Sequence, residues 1–284
     1  MQTPPVKDKK TLSREIGLEI ATICGRHFLK VEHLHYGYWT KGLAVELANL
    51  PAAQKNYTDF LIFNIPDGVK SILDVGCGMG HTAQILTEAG YTVDCVSPSA
   101  FLAQQARTLL QGKSEIFECF YEHLQTDKRY DLVLFSESFQ YINPETAIQK
   151  TLGLLNPGGY MLICDIFKLD VEGKSPIAGG HNLTQFFATI SEYPLRLVND
   201  RDITAETAPN RDIENHIFKE VVEPVSGLLG RLLDSRYPLL ARFLRWKYRK
   251  KIDKIRGKYF SGRRTGENFR KFKTYRLLVY KMQE

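Results

Sequence analysis

Five short apolar runs alternate with stretches of helical spacing between Ser71 and Phe167. They read SILDV (Ser71–Val75), TVDCVS (Thr92–Ser97), EIFECF (115–120), DLVLFS (Asp131–Ser136) and YMLICDIF (Tyr160–Phe167). Helical spacing over Gly80–Gly90, Ser99–Gln111 and Glu145–Leu155 separates them, the last of these followed by Asn156-Pro157-Gly158-Gly159. Near-continuous apolar strands spaced by helices mean a parallel sheet covered on both faces. Downstream, a helix is expected at about Thr184–Glu192, a strand at Leu195–Val198 and a final strand at Thr274–Met282. Upstream, residues Leu12–Leu29 place Ile16, Ile20, Ile23, Cys24 and Phe28 at helical spacing, and a second helical run covers about Leu43–Ile65. An aromatic stretch, HLHYGYW (His33–Trp39), lies between them.

The chain thus divides into an N-terminal helical segment (1–66), a binding core (67–200), a basic helical insertion (201–272) and the last core strand (273–284). Its 284 residues, 43% hydrophobic, suit one large domain with an insertion. No apolar run is long enough to cross a membrane, and the N-terminal MQTPPVKDKKTLSREIG lacks the apolar core of a secretory signal. Five scattered cysteines without CxxC spacing argue against a disulfide framework and against zinc. A reducing, cytoplasmic setting fits best. The net charge of +6 is unevenly held: from Arg231 to Glu284, 18 Lys and Arg face 4 Asp and Glu, a balance of +14, so the first 230 residues carry −8.

The loop after the first strand reads LDVGCGMGHT (Leu73–Thr82). In an open parallel sheet, ligands bind beyond the carboxyl ends of the strands. Glycines there let a backbone approach its ligand, and the following helix offers free N–H groups. A nicotinamide site prefers G-x-G-x-x-G, and a P-loop needs a lysine that does not follow Gly80. The D-x-G-x-G-x-G spacing, with Asp74 two residues before Gly76, resembles the cofactor loop of class I S-adenosylmethionine-dependent methyltransferases. YDLVLFSESFQYI (Tyr130–Ile142) resembles the fourth-strand motif of that superfamily, and LNPGGYMLICD (Leu155–Asp165) its fifth-strand turn. HYGYW (His35–Trp39), VSPSAF (Val96–Phe101) and RDITAETAP (Arg201–Pro209) are similar to segments of its small-molecule branch. That branch includes tocopherol-, sterol- and geranyl diphosphate-type methyltransferases and some antibiotic-tailoring enzymes.

The resemblance implies a Rossmann-like, doubly wound α/β fold with a mostly parallel seven-stranded sheet, and S-adenosyl-L-methionine as cofactor. The implied cofactor wall comprises Asp74, Gly76, Cys77, Gly78 and Gly80 of the loop, Ser97 and Pro98 after the second strand, and Ser136 after the fourth. Many class I enzymes carry an acid where Ser97 stands; the tocopherol-like branch tends to lack it, and Gln104 or backbone groups are expected to share the ribose. Tyr121 and Glu122 occupy the adenine position, and Tyr36 and Tyr38 are expected to close over the cofactor.

Methyl transfer needs an aligned nucleophile, a dry site and a destination for a proton. Glu137, at the carboxyl end of the fourth strand, is one candidate for general base or charge stabiliser; an orienting role in its loop is the alternative. His181 in GGHNLT is another, set against a plain helix-start position. His33 and His35 are expected to pack or meet solvent. A divalent-metal site would want clustered carboxylates near the fourth and fifth strands, where only Glu137 and Asp165 stand out, so no metal is expected.

In the insertion, Pro238–Phe260 sets Leu240, Phe243 or Leu244, Tyr248, Ile252, Ile255 and Tyr259 on one helical stripe among lysines and arginines. Three readings remain: a lid packed on the sheet, contact with an anionic substrate or a membrane surface, and contact with nucleic acid, which is disfavoured because no RNA-binding module is recognisable. The function expected is methylation, at oxygen or carbon ahead of nitrogen, of a small, partly hydrophobic acceptor that is anionic or lipid-like. An RNA methyltransferase and a non-catalytic cofactor-binding protein are the alternatives.

Overall fold

A computed structural model describes residues 9–283. The polar stretch ending at Asp8 and the terminal Glu284 lie outside the described residues. The chain begins with helices α1 (Lys9–Cys24) and α2 (Leu50–Phe63). Strand and helix then alternate: β1 (Ser71–Val75), α3 (His81–Glu88), β2 (Thr92–Val96), α4 (Ala100–Leu110), β3 (Ile116–Phe117), β4 (Tyr130–Ser136), α5 (Pro144–Leu154) and β5 (Leu155–Lys168). After β6 (His181–Asn182), α6 (Leu183–Ile190) and β7 (Leu195–Asp202) come five helices: α7 (Thr204–Thr207), α8 (Pro209–Ile217), α9 (Glu223–Arg236), α10 (Pro238–Ile255) and α11 (Gly266–Phe272). Strand β8 (Lys273–Met282) closes the sheet.

The strand order is β3-β2-β1-β4-β5-β8-β7, with β6 paired to the end of β5. The seven-stranded path matches the expectation; two-residue β6 is the addition. β8 runs antiparallel to both β5 and β7. Along each strand, side chains alternate between two cores. Ile72, Leu132, Leu134, Leu162 and Cys164 face one, which contains Tyr57, Ala83 and Ala106 of the helices on that side. Leu73, Val133, Phe135, Met161 and Ile163 face the other, under Ile148 and Phe186. Period-two alternation between two apolar faces is why these strands read as unbroken hydrophobic runs.

Two expectations change, and the expected first helix turns its apolar face outward. The third strand shrinks to two residues, because the Cys119 amide turns back onto the Phe117 carbonyl (3.1 Å) and Glu118 pairs with Arg107 (2.9 Å). The Asn156–Gly159 turn becomes an irregularity at the start of β5, where Tyr130 pairs with Leu155 and Leu132 with Tyr160. Asn156 secures it by donating to Asp131 (2.7 Å). The apolar stripe of α1 faces solvent: Ile16, Ile20 and Ile23 are exposed, as is Phe28 just beyond the helix, while Glu15 and Thr22 are buried. In that orientation Glu15 accepts a hydrogen bond from the Ser99 hydroxyl (3.0 Å).

The insertion divides in two. Its base, α7, α8 and α11, joins the core, where Ala208 and Phe269 are buried. Its outer part, α9 and α10, forms a hairpin whose arms contact each other. α10 packs on α9, not on the sheet as the lid reading supposed. Among the described residues no helix is long and apolar enough to cross a membrane.

Candidate functional site

Strand order reverses at β1, with β2 on one side and β4 on the other. A cavity of about 280 Å³ opens beyond the carboxyl ends of these three strands, where the fold predicts a ligand. The loop after β1 forms its floor. Gly76, Gly78 and Gly80 all have positive φ (+81°, +58° and +88°), which an L side chain rarely adopts. Their tasks differ. A Cβ on Gly76 would lie 2.5 Å from Ser138 Cβ, so this glycine lets β1 and β4 converge. A Cβ on Gly80 would meet Ala106 at 3.1 Å, so this glycine seats α3 against α4 and lies outside the cavity wall. A Cβ on Gly78 meets no protein atom within 4 Å, and Gly78 is in the wall. It is the glycine whose missing side chain leaves room for a ligand.

Asp74, 2% exposed, ends β1 at the same wall. Its Oδ2 is buried without a hydrogen-bond partner. Burial pushes its carboxyl up to about 7. A buried acid with an unused oxygen is complementary to a cation, and S-adenosylmethionine carries an ammonium and a sulfonium. Cys77, Ser97, Pro98, Tyr121 and Ser136 also line the cavity. Ser97 is fixed through its amide to the Phe117 carbonyl (3.0 Å), and the Tyr121 hydroxyl is held by Thr151 (2.8 Å). An orphaned acid and an open glycine cradle therefore fit the expected cofactor.

Glu137 lines the cavity from the end of β4. Its backbone is left-handed (φ +55°), a strained conformation for a glutamate, and its amide donates to the Cys164 carbonyl (3.0 Å). Its Oε1 accepts from the Tyr36 amide (2.6 Å) and the Tyr275 hydroxyl (2.8 Å). Tyr275 meets the Tyr57 hydroxyl (2.9 Å), which meets Ser136 Oγ (3.0 Å). Burial holds the Glu137 carboxyl well above the ordinary carboxylate range; the Tyr275 hydrogen bond opposes that shift and the nearby Asp165 adds to it.

Besides Gly80, five sequence-predicted residues lie outside the cavity wall. Gln104 is exposed on the outer side of α4, because helical spacing turns Ser99 and Leu102 to the cavity instead. Glu122 is outside the wall; its neighbour Phe120 supplies an aromatic surface there. His181 is also outside: its Nε2 meets the Phe139 carbonyl (3.1 Å) and its ring stands edge-on to Phe139. Tyr36 reaches the site only through its amide, its ring lying under the Arg211 guanidinium (4.9 Å), and Tyr38 stacks on Phe60. No residue of the basic insertion lines the cavity.

Sequence reasoning missed part of the cover. His33 and His35 line the cavity with His81 and with Leu18 of α1. Their rings cluster, His33 being 4.4 Å from His35 and 5.5 Å from His81. Gln54 of α2 holds this segment by donating to the His33 and His35 carbonyls (3.1 and 2.7 Å). Burial and mutual repulsion push His33 down to about 4 and His35 well below the usual imidazole value. Neutral imidazoles spare a cationic ligand the repulsion that imidazolium would bring. His81 was findable, since the first residue of a helix after a glycine loop sits on the ligand side. Among the described residues no group of three or more His, Cys, Asp or Glu is arranged to hold a metal ion.

The comparisons agree with this geometry. A family model described as "Methyltransferase domain" matches residues 51–272. A ubiquinone biosynthesis O-methyltransferase of Rickettsia felis is 26% identical over 156 residues, covering 52% of this chain and 63% of that protein. An uncharacterized methyltransferase of Mycobacterium bovis is 27% identical over 95 residues, covering 34% and 39%. The matches thus span less than two thirds of these relatives' own length. A geranyl diphosphate C-methyltransferase from Streptomyces coelicolor, crystallised with Mg2+, geranyl diphosphate and S-adenosyl-L-homocysteine, superposes with TM-score 0.68 at 14% identity, covering 99% of this chain and all (100%) of that one. The [4+2]-cyclase SpnF does so with TM-score 0.67 at 16% identity, covering 99% and 98%. At such identities these likenesses show the fold. With more than half of its length matched by the family model, the chain belongs to the methyltransferase-domain family, and it has the fold of the class I methyltransferase structures it superposes on.

Proposed function

We propose that the protein methylates a hydroxyl or an activated carbon of a small, partly hydrophobic acceptor, with Glu137 as proton acceptor. Bound on the glycine loop, S-adenosylmethionine supplies the methyl group as a sulfonium electrophile. Asp74 and the loop amides are suited to its amino-acid end, Ser97 to the ribose, and Phe120 and Tyr121 to the adenine. Leu18 and the His33–His35 segment cover the cavity and exclude water.

The observation that carries the reading is Glu137 itself. It is a half-buried glutamate in a strained backbone, lining the cavity from the end of β4, with Oε1 occupied by Tyr36 and Tyr275. Its Oε2 is left for an acceptor hydroxyl or C–H. A carboxyl held above its ordinary range is a stronger base once ionised, as a general base working near neutral pH requires. Relatives whose names give O- and C-methyltransferase activities favour oxygen or carbon.

The test is an assay against metabolite extracts and prenylated or phenolic acceptors, read by mass spectrometry for one added methyl group. With a productive acceptor, Glu137→Gln should lower kcat by roughly 100-fold or more and remove the rising acidic limb of its pH profile. Cofactor affinity should change only a few-fold. An unchanged kcat and pH profile would remove Glu137 from the chemistry.

A further inference from the structure

The α9–α10 hairpin is built unlike the rest of the molecule. α9 buries no side chain, and α10 buries only Ala241. Val221, Val225, Leu228 and Leu232 follow one another at helical spacing and are all exposed. On α10, Leu239, Phe243 and Trp246 repeat the pattern, Leu239 at 82% and Trp246 at 75% exposure. Basic side chains surround this second stripe. From Arg242 to Lys258 the sequence holds nine Lys and Arg and one acid, Asp253. Lys247 lies over the Phe243 ring at 5.5 Å and near Tyr248 at 5.7 Å, and Arg245 pairs with Asp234 across the hairpin.

Soluble monomers rarely leave so many large apolar groups in water. The cavity is not what covers them, because none of its lining residues comes from the hairpin. A second copy of the same hairpin would bring two strongly basic segments together. RNA would satisfy the lysines and arginines but leave Leu239, Phe243 and Trp246 wet. An anionic bilayer meets both requirements: its phosphates match the charge, and its headgroup–acyl boundary takes the apolar side chains. Long Lys and Arg stems can lie along that boundary with their heads at the phosphates. We propose that the α9–α10 hairpin docks this methyltransferase on the surface of an anionic lipid bilayer, with Leu239, Phe243 and Trp246 entering the headgroup–acyl boundary. This goes beyond the transfer reaction and rests on the hairpin alone, so its failure would leave the cavity assignment untouched.

The experiment uses the full-length protein and vesicles of phosphatidylcholine with or without phosphatidylglycerol. Flotation should occur only with the anionic vesicles. Trp246 should report entry by a blue shift of its emission, separable from buried Trp39 by the Trp246→Phe variant. Combined reversal at Lys247, Arg249, Lys250 and Lys251 to Glu should weaken binding by roughly 100-fold or more, given the attraction each cation contributes near an anionic surface. Thermal unfolding of that variant should be unchanged, because all four side chains are exposed. No flotation with anionic vesicles would overturn the proposal. So would equal binding by the reversed variant, an emission maximum that does not move, hairpin-dependent dimerisation without vesicle binding, or salt-sensitive retention of RNA without vesicle binding.

Discussion

The carboxyl edge of β1–β4 and the α9–α10 hairpin treat the same kinds of residue in opposite ways. At the edge, each position answers to several neighbours: Gly76 meets Ser138, Gly80 meets Ala106, and Glu137 is held in a left-handed backbone by three hydrogen bonds. In the hairpin, Gly227 and Gly230 have nothing within 4 Å of a would-be Cβ, and leucines stand in water. The edge is specified by the protein itself. The hairpin is held by few contacts with the rest of the protein.

The largest way to break this contrast is Gly76→Val. A left-handed backbone and a 2.5 Å approach to Ser138 should cost about 3–5 kcal/mol, read as a lowered denaturation midpoint or loss of folded protein. Gly78→Val, two residues on, shares the left-handed strain (φ +58°) but meets no protein atom, so it should cost less stability than Gly76→Val while lowering cofactor affinity by about 100-fold or more, measured by calorimetry on the folded variant, because the added atoms enter the cavity. Retained affinity would move the ligand off the loop.

A smaller effect concerns Asp74. Its carboxyl sits near 7 when folded, against 3.8 ordinarily. The folded state therefore holds a proton that the unfolded chain has released, and this contribution to stability is full below about pH 4 and lost as pH rises through about 7. Asp165, also raised to about 7 by burial, contributes in the same direction but lies outside the wall. A cationic cofactor prefers ionised Asp74, so its affinity should rise roughly tenfold from pH 6 to pH 8, with a proton released on binding. Asp74→Asn should flatten that dependence; a slope that survives would assign it to another group. The smallest effects belong to the hairpin. Leu239→Ala should change stability by less than about 0.5 kcal/mol, whereas Leu162→Ala in the core should cost about 2–5 kcal/mol. Comparable losses from the two would mean that α10 is packed in solution.

The alternating strands and the glycine loop were legible because their signals are local: period-two burial, positive φ, an acid before the first glycine. The errors fall where a residue's meaning depends on what meets it. Gln104 and Ser99 both belong to the α4 segment, and only the packed helix shows that Ser99 faces the cavity. Ile16, Ile20 and Ile23 give the helix its spacing, but the spacing does not tell that this face is exposed while Glu15 is buried against Ser99. His181 sits between two glycines and a helix, a place that suits a base, but its Nε2 meets the Phe139 carbonyl. His33 and His35 come to the cavity from well before the first strand, carried by Gln54, and no spacing within the core encodes that.

The placement of β8 has a consequence for biosynthesis. It lies between β5 and β7, although it follows the whole hairpin in sequence. While the chain emerges from a ribosome, the β5 flank is formed long before its neighbour exists. For that interval an apolar strand edge is open to other nascent chains. Expression yield should therefore depend on translation speed through residues 203–272, a stretch that makes no strand yet decides how long the flank stays bare.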